Sequence, residues 1–141
     1  MKKDTILYSA LCVLIGLTAV PSQAQTGGVK VNVPFKFEVA SKTLPEGEYL
    51  IWSARDNVFI QSSQGRTVAV VLSNAVSGRT VSKTGQVVFQ CYGHHCFLSE
   101  LWSPTQYAGR QLPKGRREEE LAKKETAQYF AFAGAPDNHQ R

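Results

Sequence analysis

The sequence predicts a mainly β protein: an antiparallel meander of about seven strands, forming a small barrel or a sandwich, with one C-terminal helix. Three observations predict it. Residues 29–39 alternate apolar and polar side chains without a break, which is typical of a half-buried strand. Strand and turn signals then recur about every ten residues as far as Trp102. Helix-forming residues dominate 116–133, after the last strand signal.

The first residues have the pattern of a secretory leader. Lys2 and Lys3 precede an uncharged apolar run over 6–20, and Ser22-Gln23-Ala24 places small residues where a signal peptidase requires them. The pattern predicts a signal peptide over 1–24, cleaved after Ala24. The apolar run is somewhat short for a membrane anchor. We therefore expect an exported protein, periplasmic or secreted, without a transmembrane segment after cleavage.

Length and charge limit the remaining classes. Cleavage after residue 24 of 141 leaves 117 residues, enough for one domain that buries about two-thirds of its unfolded surface. It also removes two lysines and one aspartate from a chain of net charge +5, which leaves +4. The basic residues are scattered or adjoin acids, unlike the dense stripe of a nucleic-acid interface. We therefore predict no nucleic-acid partner.

The segments follow in a simple order along the mature chain. Pro34 lacks a backbone donor and marks an edge or a bulge within the first strand. The run 67–72 is nearly all apolar, which favours a central strand, and a weaker strand signal lies near 79–82. The predicted boundaries are a flexible lead-in over 25–28, a β domain over 29–102, a linker over 103–115, a helix over 116–133 and a polar tail over 134–141.

A hairpin over 87–102 is the best-defined local feature. Gly93-His94 fits a two-residue type II′ turn, because glycine takes the positive φ at the first central position. Cys91 then faces Cys96 at a spacing that a disulfide accepts. With His94 and His95, the two thiols could instead bind zinc or copper. The oxidising compartment and the tight spacing favour the disulfide, and we predict no cofactor.

Other candidate sites carry weaker signals. Tyr49, Trp52, Tyr92 and Trp102 could line a ligand groove on a β face, although aromatic residues of all-β domains more often pack in the core. The chain has no nucleophile-elbow, zinc-protease or phosphate-loop motif. The sequence therefore favours a protein that is not an enzyme.

Several motifs, taken in order, resemble a family of small secreted β proteins abundant in Acidobacteria. The motifs are Asn32–Phe37, Lys42–Tyr49, Gln61-Ser62, Gly65, Tyr92-Gly93, Phe97–Ser99, Trp102 and Gly109–Pro113. The resemblance implies a secreted location and a β architecture. It implies no activity and supplies no catalytic residue. Cys91 and Cys96 lie outside the family pattern, so the resemblance does not bear on the disulfide.

Two hypotheses of function follow. The first is a non-catalytic secreted or periplasmic β module that binds an envelope or extracellular partner, a glycan or an apolar ligand. The alternative is a small hydrolase or a metal-binding protein that uses the hairpin tip of Cys91, His94, His95 and Cys96. A ligand screen by thermal shift against metals, glycans and lipids would separate them.

Overall fold

The structure, a computed structural model, describes residues 28–78 and 80–135. The predicted signal peptide lies outside these residues, as do most of the lead-in and the end of the tail. Eleven strands and one helix occur in the described ranges. They are β1 Val29–Val33, β2 Phe37–Val39, β3 Lys42–Leu44, β4 Gly47–Ala54, β5 Asn57–Ser62, β6 Thr67–Leu72, β7 Asn74–Ser77, β8 Gln86–Tyr92, β9 His95–Trp102, β10 Ala108–Gln111, α1 Arg116–Ala122 and β11 Gln128–Ala133.

The described residues form two sheets, which confirms the prediction of a mainly β protein. Of the two predicted architectures, the structure is the sandwich and not the closed barrel. The first sheet has the strand order β1-β4-β5-β6, and the second has β11-β8-β9-β10-β7. Strands β2 and β3 extend the second sheet as a small hairpin beside β9. Most pairs are antiparallel, but β2 runs parallel to β9 where Glu38 meets Phe97. The apolar core fills the space between the sheets, with Ile51, Ile60, Phe89 and Leu101 fully buried.

The predicted single strand over 29–39 is two strands in two different sheets. The alternation of buried and exposed residues continues, but the ladder stops after Val33, where Pro34 follows and lacks a donor. The chain then crosses from the edge of the first sheet into the second. Phe35 lies at this crossing and packs edge-on against Phe89, with ring centroids 5.4 Å apart.

The prediction of a central strand over 67–72 is wrong. Strand β6 is the last strand of the first sheet, and Leu72 is 67% exposed. The predicted strand near 79–82 is also misplaced: β7 lies at Asn74–Ser77, directly after β6, and residues 80–82 form no strand. An apolar run cannot distinguish these cases, because it occurs both in a strand buried on two faces and in an edge strand with one apolar face exposed.

The C-terminal helix begins at Arg116 as predicted, but it ends at Ala122 and not at residue 133. Residues Gln128–Ala133 form β11, which pairs with β8 along its whole length. Phe130 and Phe132 occupy alternate positions of β11 and both pack against Phe35, although Phe130 is still 41% exposed. The open edge of β8 and this aromatic alternation outweigh the helix propensity of the segment. The β domain thus extends through the predicted linker, which contains β10, to Ala133.

The two sheets are joined by polar contacts as well as by the core. Arg110 of β10 donates hydrogen bonds to the Ser73 hydroxyl at 3.0 Å, the Arg55 carbonyl at 2.6 Å and the Asp56 carboxylate at 2.8 Å. Arg55 and Asp56 form the turn between β4 and β5, so this guanidinium ties the second sheet to the first. At the opposite edge, the Ala135 amide donates to the Lys30 carbonyl at 2.8 Å.

The helix within the described ranges is too short and too polar to cross a membrane.

Candidate functional site

The β8–β9 hairpin has the register that the sequence predicts. Cys91 pairs with Cys96 and Tyr92 with His95, so Gly93-His94 is the turn. Gly93 has φ +58°, and His94 is not among the residues with positive φ, which matches the φ signs of a type II′ turn. The two sulfurs lie 2.05 Å apart, at bonding distance, and both cysteines are buried on the core side of the sheet.

The opposite face of the same hairpin is also buried, which is unusual for an outer face. Tyr92 is 1% exposed and Gln90 is 4% exposed. The Tyr92 ring meets Phe97 edge-on, and Gln90 donates a hydrogen bond to the Tyr129 hydroxyl at 2.9 Å. Segments that follow β10 approach this hairpin: Arg117 of α1 lies 3.3 Å from His95, and the Tyr129 hydroxyl of β11 reaches Gln90. The helix α1 therefore lies close to the hairpin.

The four aromatic candidates do not converge on one site. Tyr49 belongs to the core and donates to the Pro45 carbonyl at 2.6 Å; burial raises the pKa of its phenol. Trp52 stacks on Phe59 on the outer side of the first sheet, with ring centroids 4.1 Å apart. Trp102 packs over Gly109, where an added Cβ would lie 2.5 Å from its ring. Tyr92 is buried on the outer face of the hairpin, beside Phe97.

A cavity of about 760 Å³ lies beside α1, where the two sheets separate. Its volume falls within the roughly 300–1,000 Å³ typical of small-molecule sites. Val71 of β6 contributes one wall, and Val39 of β2 and Phe97 of β9 contribute others. The cavity-lining residues are Glu38, Val39, Ala40, Ser41, Val71, Phe97, Leu98, Leu112, Pro113, Lys114, Gly115, Arg116, Arg117, Glu118 and Glu120. Apolar side chains thus form the interior, and charged groups from the helix and β2 border it.

The backbone is strained where the β2–β3 turn borders this cavity. Ala40 and Ser41 have φ of +51° and +60°, although neither is glycine. Val39 pairs with Lys42, so the two residues form a tight turn with the φ signs of type I′. Each such residue costs on the order of 1–3 kcal/mol, and strain of this kind clusters at ligand sites.

Glu38 carries a half-satisfied carboxylate at the border of the cavity. One oxygen, Oε1, accepts a hydrogen bond from the Arg117 guanidinium at 2.7 Å. The other, Oε2, is buried and has no hydrogen-bond partner among the described residues. Buried carboxylate oxygens normally accept a hydrogen bond, so the missing donor to Oε2 requires an explanation.

Glu118 is the buried charge of the helix. It is 6% exposed, and no hydrogen bond to its carboxylate forms within residues 28–78 and 80–135. Burial raises the pKa of this carboxyl, since desolvation penalises the ionised form; Lys114 opposes the shift, and Glu119 and Glu38 add to it. The pKa of Lys114 is itself raised, chiefly by its interaction with the Tyr92 hydroxyl. The protein therefore places a carboxyl group with a raised pKa in the lining of the cavity.

The two histidines of the hairpin tip lie beside Arg117, outside the main cavity. His95 Nδ1 lies 3.3 Å from the Arg117 guanidinium, while His94 is exposed. Both border a hollow of about 100 Å³ next to Glu38. In the part of the chain that the structure describes, no cluster of three or more His, Cys, Asp or Glu side chains could hold a metal ion.

Sequence reasoning did not identify the cavity or Glu118. Nothing local distinguishes Glu118 from Glu119 and Glu120, and a run of acids at a helix start is usually solvated. The sequence offered one indication of the site. The predicted register puts Tyr92 and Phe97 on the outer face of the hairpin, and side chains this large are expected to be covered by another segment. Comparison with protein-family models, with curated proteins and with solved structures finds no match to this chain.

Proposed function

We propose that this protein is a non-catalytic, exported β module that binds a small apolar or amphipathic molecule in the cavity beside α1. The cavity itself carries the proposal: its interior is apolar, both sheets line it, and its volume suits a small ligand. A strained turn and two incompletely paired carboxylates border it. The turn closes the β2–β3 hairpin, but a buried carboxylate oxygen without a partner costs folding free energy, which favours a role in binding for that group.

Export is supported by the leader pattern and by the buried cysteine pair at bonding distance, because disulfides persist in oxidising compartments. Intact mass measured on protein from the medium or periplasm should begin at Gln25. A mature product that retains residues 1–24 in the membrane would contradict this part of the proposal.

Binding can be tested with a neutral apolar dye, N-phenylnaphthylamine, whose fluorescence rises in apolar surroundings. We expect saturable binding by the wild-type protein. Val71→Trp should abolish it, because the larger side chain projects into the cavity. Val70→Trp is the matched control: Val70 is the adjacent residue of β6, does not line the cavity and is 47% exposed.

A second blocking variant protects the test against misfolding of Val71→Trp. Gly115 lines the cavity, and an added Cβ there meets no atom within 4 Å. Gly115→Leu should therefore fold and weaken dye binding. Thermal melts would verify that each variant is folded. Absence of saturable binding by the wild type would refute the proposed function, and so would binding by both blocking variants that equals wild-type binding.

A further inference from the structure

Hydrogen-bond acceptors without donors characterise the polar side of the cavity. Glu38 Oε2 is buried and unpartnered among the described residues. Glu118 is 6% exposed as a residue, and its carboxylate oxygens, which are not fully buried, accept no hydrogen bond from the described residues. Both residues line the cavity. They belong to different elements, β2 and α1, yet Glu38 is close enough to raise the pKa of Glu118.

The two arginines that border the cavity already have partners. Arg117 contacts Glu38 Oε1 at 2.7 Å and His95 at 3.3 Å. Arg116 pairs with Glu120 at 3.4 Å, with its side chain 93% exposed. Lys114 forms no hydrogen bond or ion pair among the described residues, and its attraction offsets the desolvation of Glu118 only in part. Glu38 and Glu118 thus keep acceptor capacity that the arginines do not use, and Lys114 is the cation that would compete with a ligand for it.

We infer that the ligand is an amphiphile with an apolar chain and a single terminal ammonium group. The chain would lie against Val71, Phe97 and Leu98, and the ammonium would donate to the carboxylates of Glu38 and Glu118. An ammonium has three donors and no acceptor, which complements unpaired carboxylate oxygens. A buried charge pair with good hydrogen bonds offsets desolvation that either charge alone would suffer. This inference rests on the proposed function, since it assigns the polar end of the same cavity.

The test compares three probes with the same alkyl chain: decylamine, decanol and decanoate. Each would be titrated against the full mature protein by displacement of N-phenylnaphthylamine, below its micelle concentration. We expect decylamine to bind at least about tenfold more tightly than decanol, the difference that one charge-assisted hydrogen bond supplies. Decanoate should bind most weakly, because its charge repeats that of Glu38 and Glu118.

Variants assign the preference to one carboxylate. Glu118→Gln keeps the shape but removes the charge, so it should reduce the affinity for decylamine about tenfold and leave decanol unchanged. Glu119→Gln is the matched control, on the next residue of the same helix and exposed outside the cavity. It should bind all three probes like the wild type.

The dependence on pH gives an independent readout. An ammonium favours ionised Glu118, so the affinity for decylamine should rise as Glu118 deprotonates, while that for decanol stays level. The charged groups that face Glu118 are Lys114 from the preceding linker, Glu38 from β2 and Glu119 from its own helix; Arg117 compensates Glu38.

The outcomes separate the two claims. Equal or tighter binding of decanol or decanoate would overturn the ammonium assignment while leaving the cavity as a binding site. The same loss in Glu119→Gln as in Glu118→Gln would also overturn it. Failure of the dye and of all three probes to bind would instead refute the proposed function.

Discussion

Arg110 should contribute measurably to stability because it joins the two sheets. Its side chain is 14% exposed, while Asp56, its ionic partner, is 80% exposed. The ion pair itself is therefore worth at most about 1 kcal/mol. The hydrogen bond to the Ser73 hydroxyl is partly buried and that to the Arg55 carbonyl is exposed. A hydrogen bond from a charged donor contributes roughly 1.5–3 kcal/mol net, and an exposed one less.

Arg110→Met keeps most of the apolar stem and removes all three hydrogen bonds. The Arg55 and Asp56 groups lie near the surface and regain water, and Ser73 retains its bond to the Asp56 carbonyl at 2.9 Å. We therefore expect a loss of about 2–3 kcal/mol in the free energy of unfolding. Arg110→Lys should recover only part of it, because one ammonium cannot span the three acceptors.

Urea denaturation followed by circular dichroism measures this loss. Arg116→Met is the matched control: its side chain is 93% exposed and has one weak pair, so the change should stay within about 0.5 kcal/mol. Arg110→Met within the same 0.5 kcal/mol of the wild type would refute the reasoning that this guanidinium holds the sheets together.

Three further predictions concern the hairpin, the last strand and the buried acid. Cys91→Ser with Cys96→Ser should cost about 2 kcal/mol in urea denaturation without abolishing folding, since the crosslink closes a short loop with a sequence separation of 5; complete unfolding would show that the core is less self-sufficient than its size suggests. Phe132→Glu should cost about 2–3 kcal/mol and Ala131→Glu less than about 0.5, because only the former faces the core; equal losses would argue against strand β11. For Glu118, the folded-state pKa is raised, so the ionised carboxylate destabilises the fold above that pKa and the penalty vanishes as pH falls below the unfolded value. Glu118→Gln should therefore melt higher than the wild type at neutral pH, with the gap closing in acid; a gap that widens in acid would contradict the assigned cause.

The hairpin was predictable to the residue because its determinants are local. Gly93 fixes the turn, and the turn fixes which residues face each other. The positions of strands β6 and β11 were not predictable, because they depend on partner strands that are distant in sequence. Leu72 has the composition of a buried strand but ends at an open edge, and Phe132 follows a good helix yet meets the free side of β8.

The candidate site was less predictable than the fold. Its cavity arises where β6, β9 and α1 come together, so no contiguous motif encodes it. Glu118 becomes distinctive only in the folded chain, where it is buried while Glu119 and Glu120 are exposed. The proposed aromatic residues were conspicuous in the sequence because they are large, yet the structure uses Tyr49 for packing and spreads the others over separate surfaces.

The pairing of β11 with β8, and of Ala135 with Lys30, has a consequence for the order of folding. A chain made from its amino terminus exposes the edge of β8 until β11 emerges, and β1 lacks its hydrogen bond from Ala135 for the same time. The second sheet therefore cannot close before residue 133 has been made. Long-range closure of this kind slows folding and prolongs the life of the unfolded chain. Until β11 pairs with β8, the chain remains unfolded and can still pass through a narrow channel.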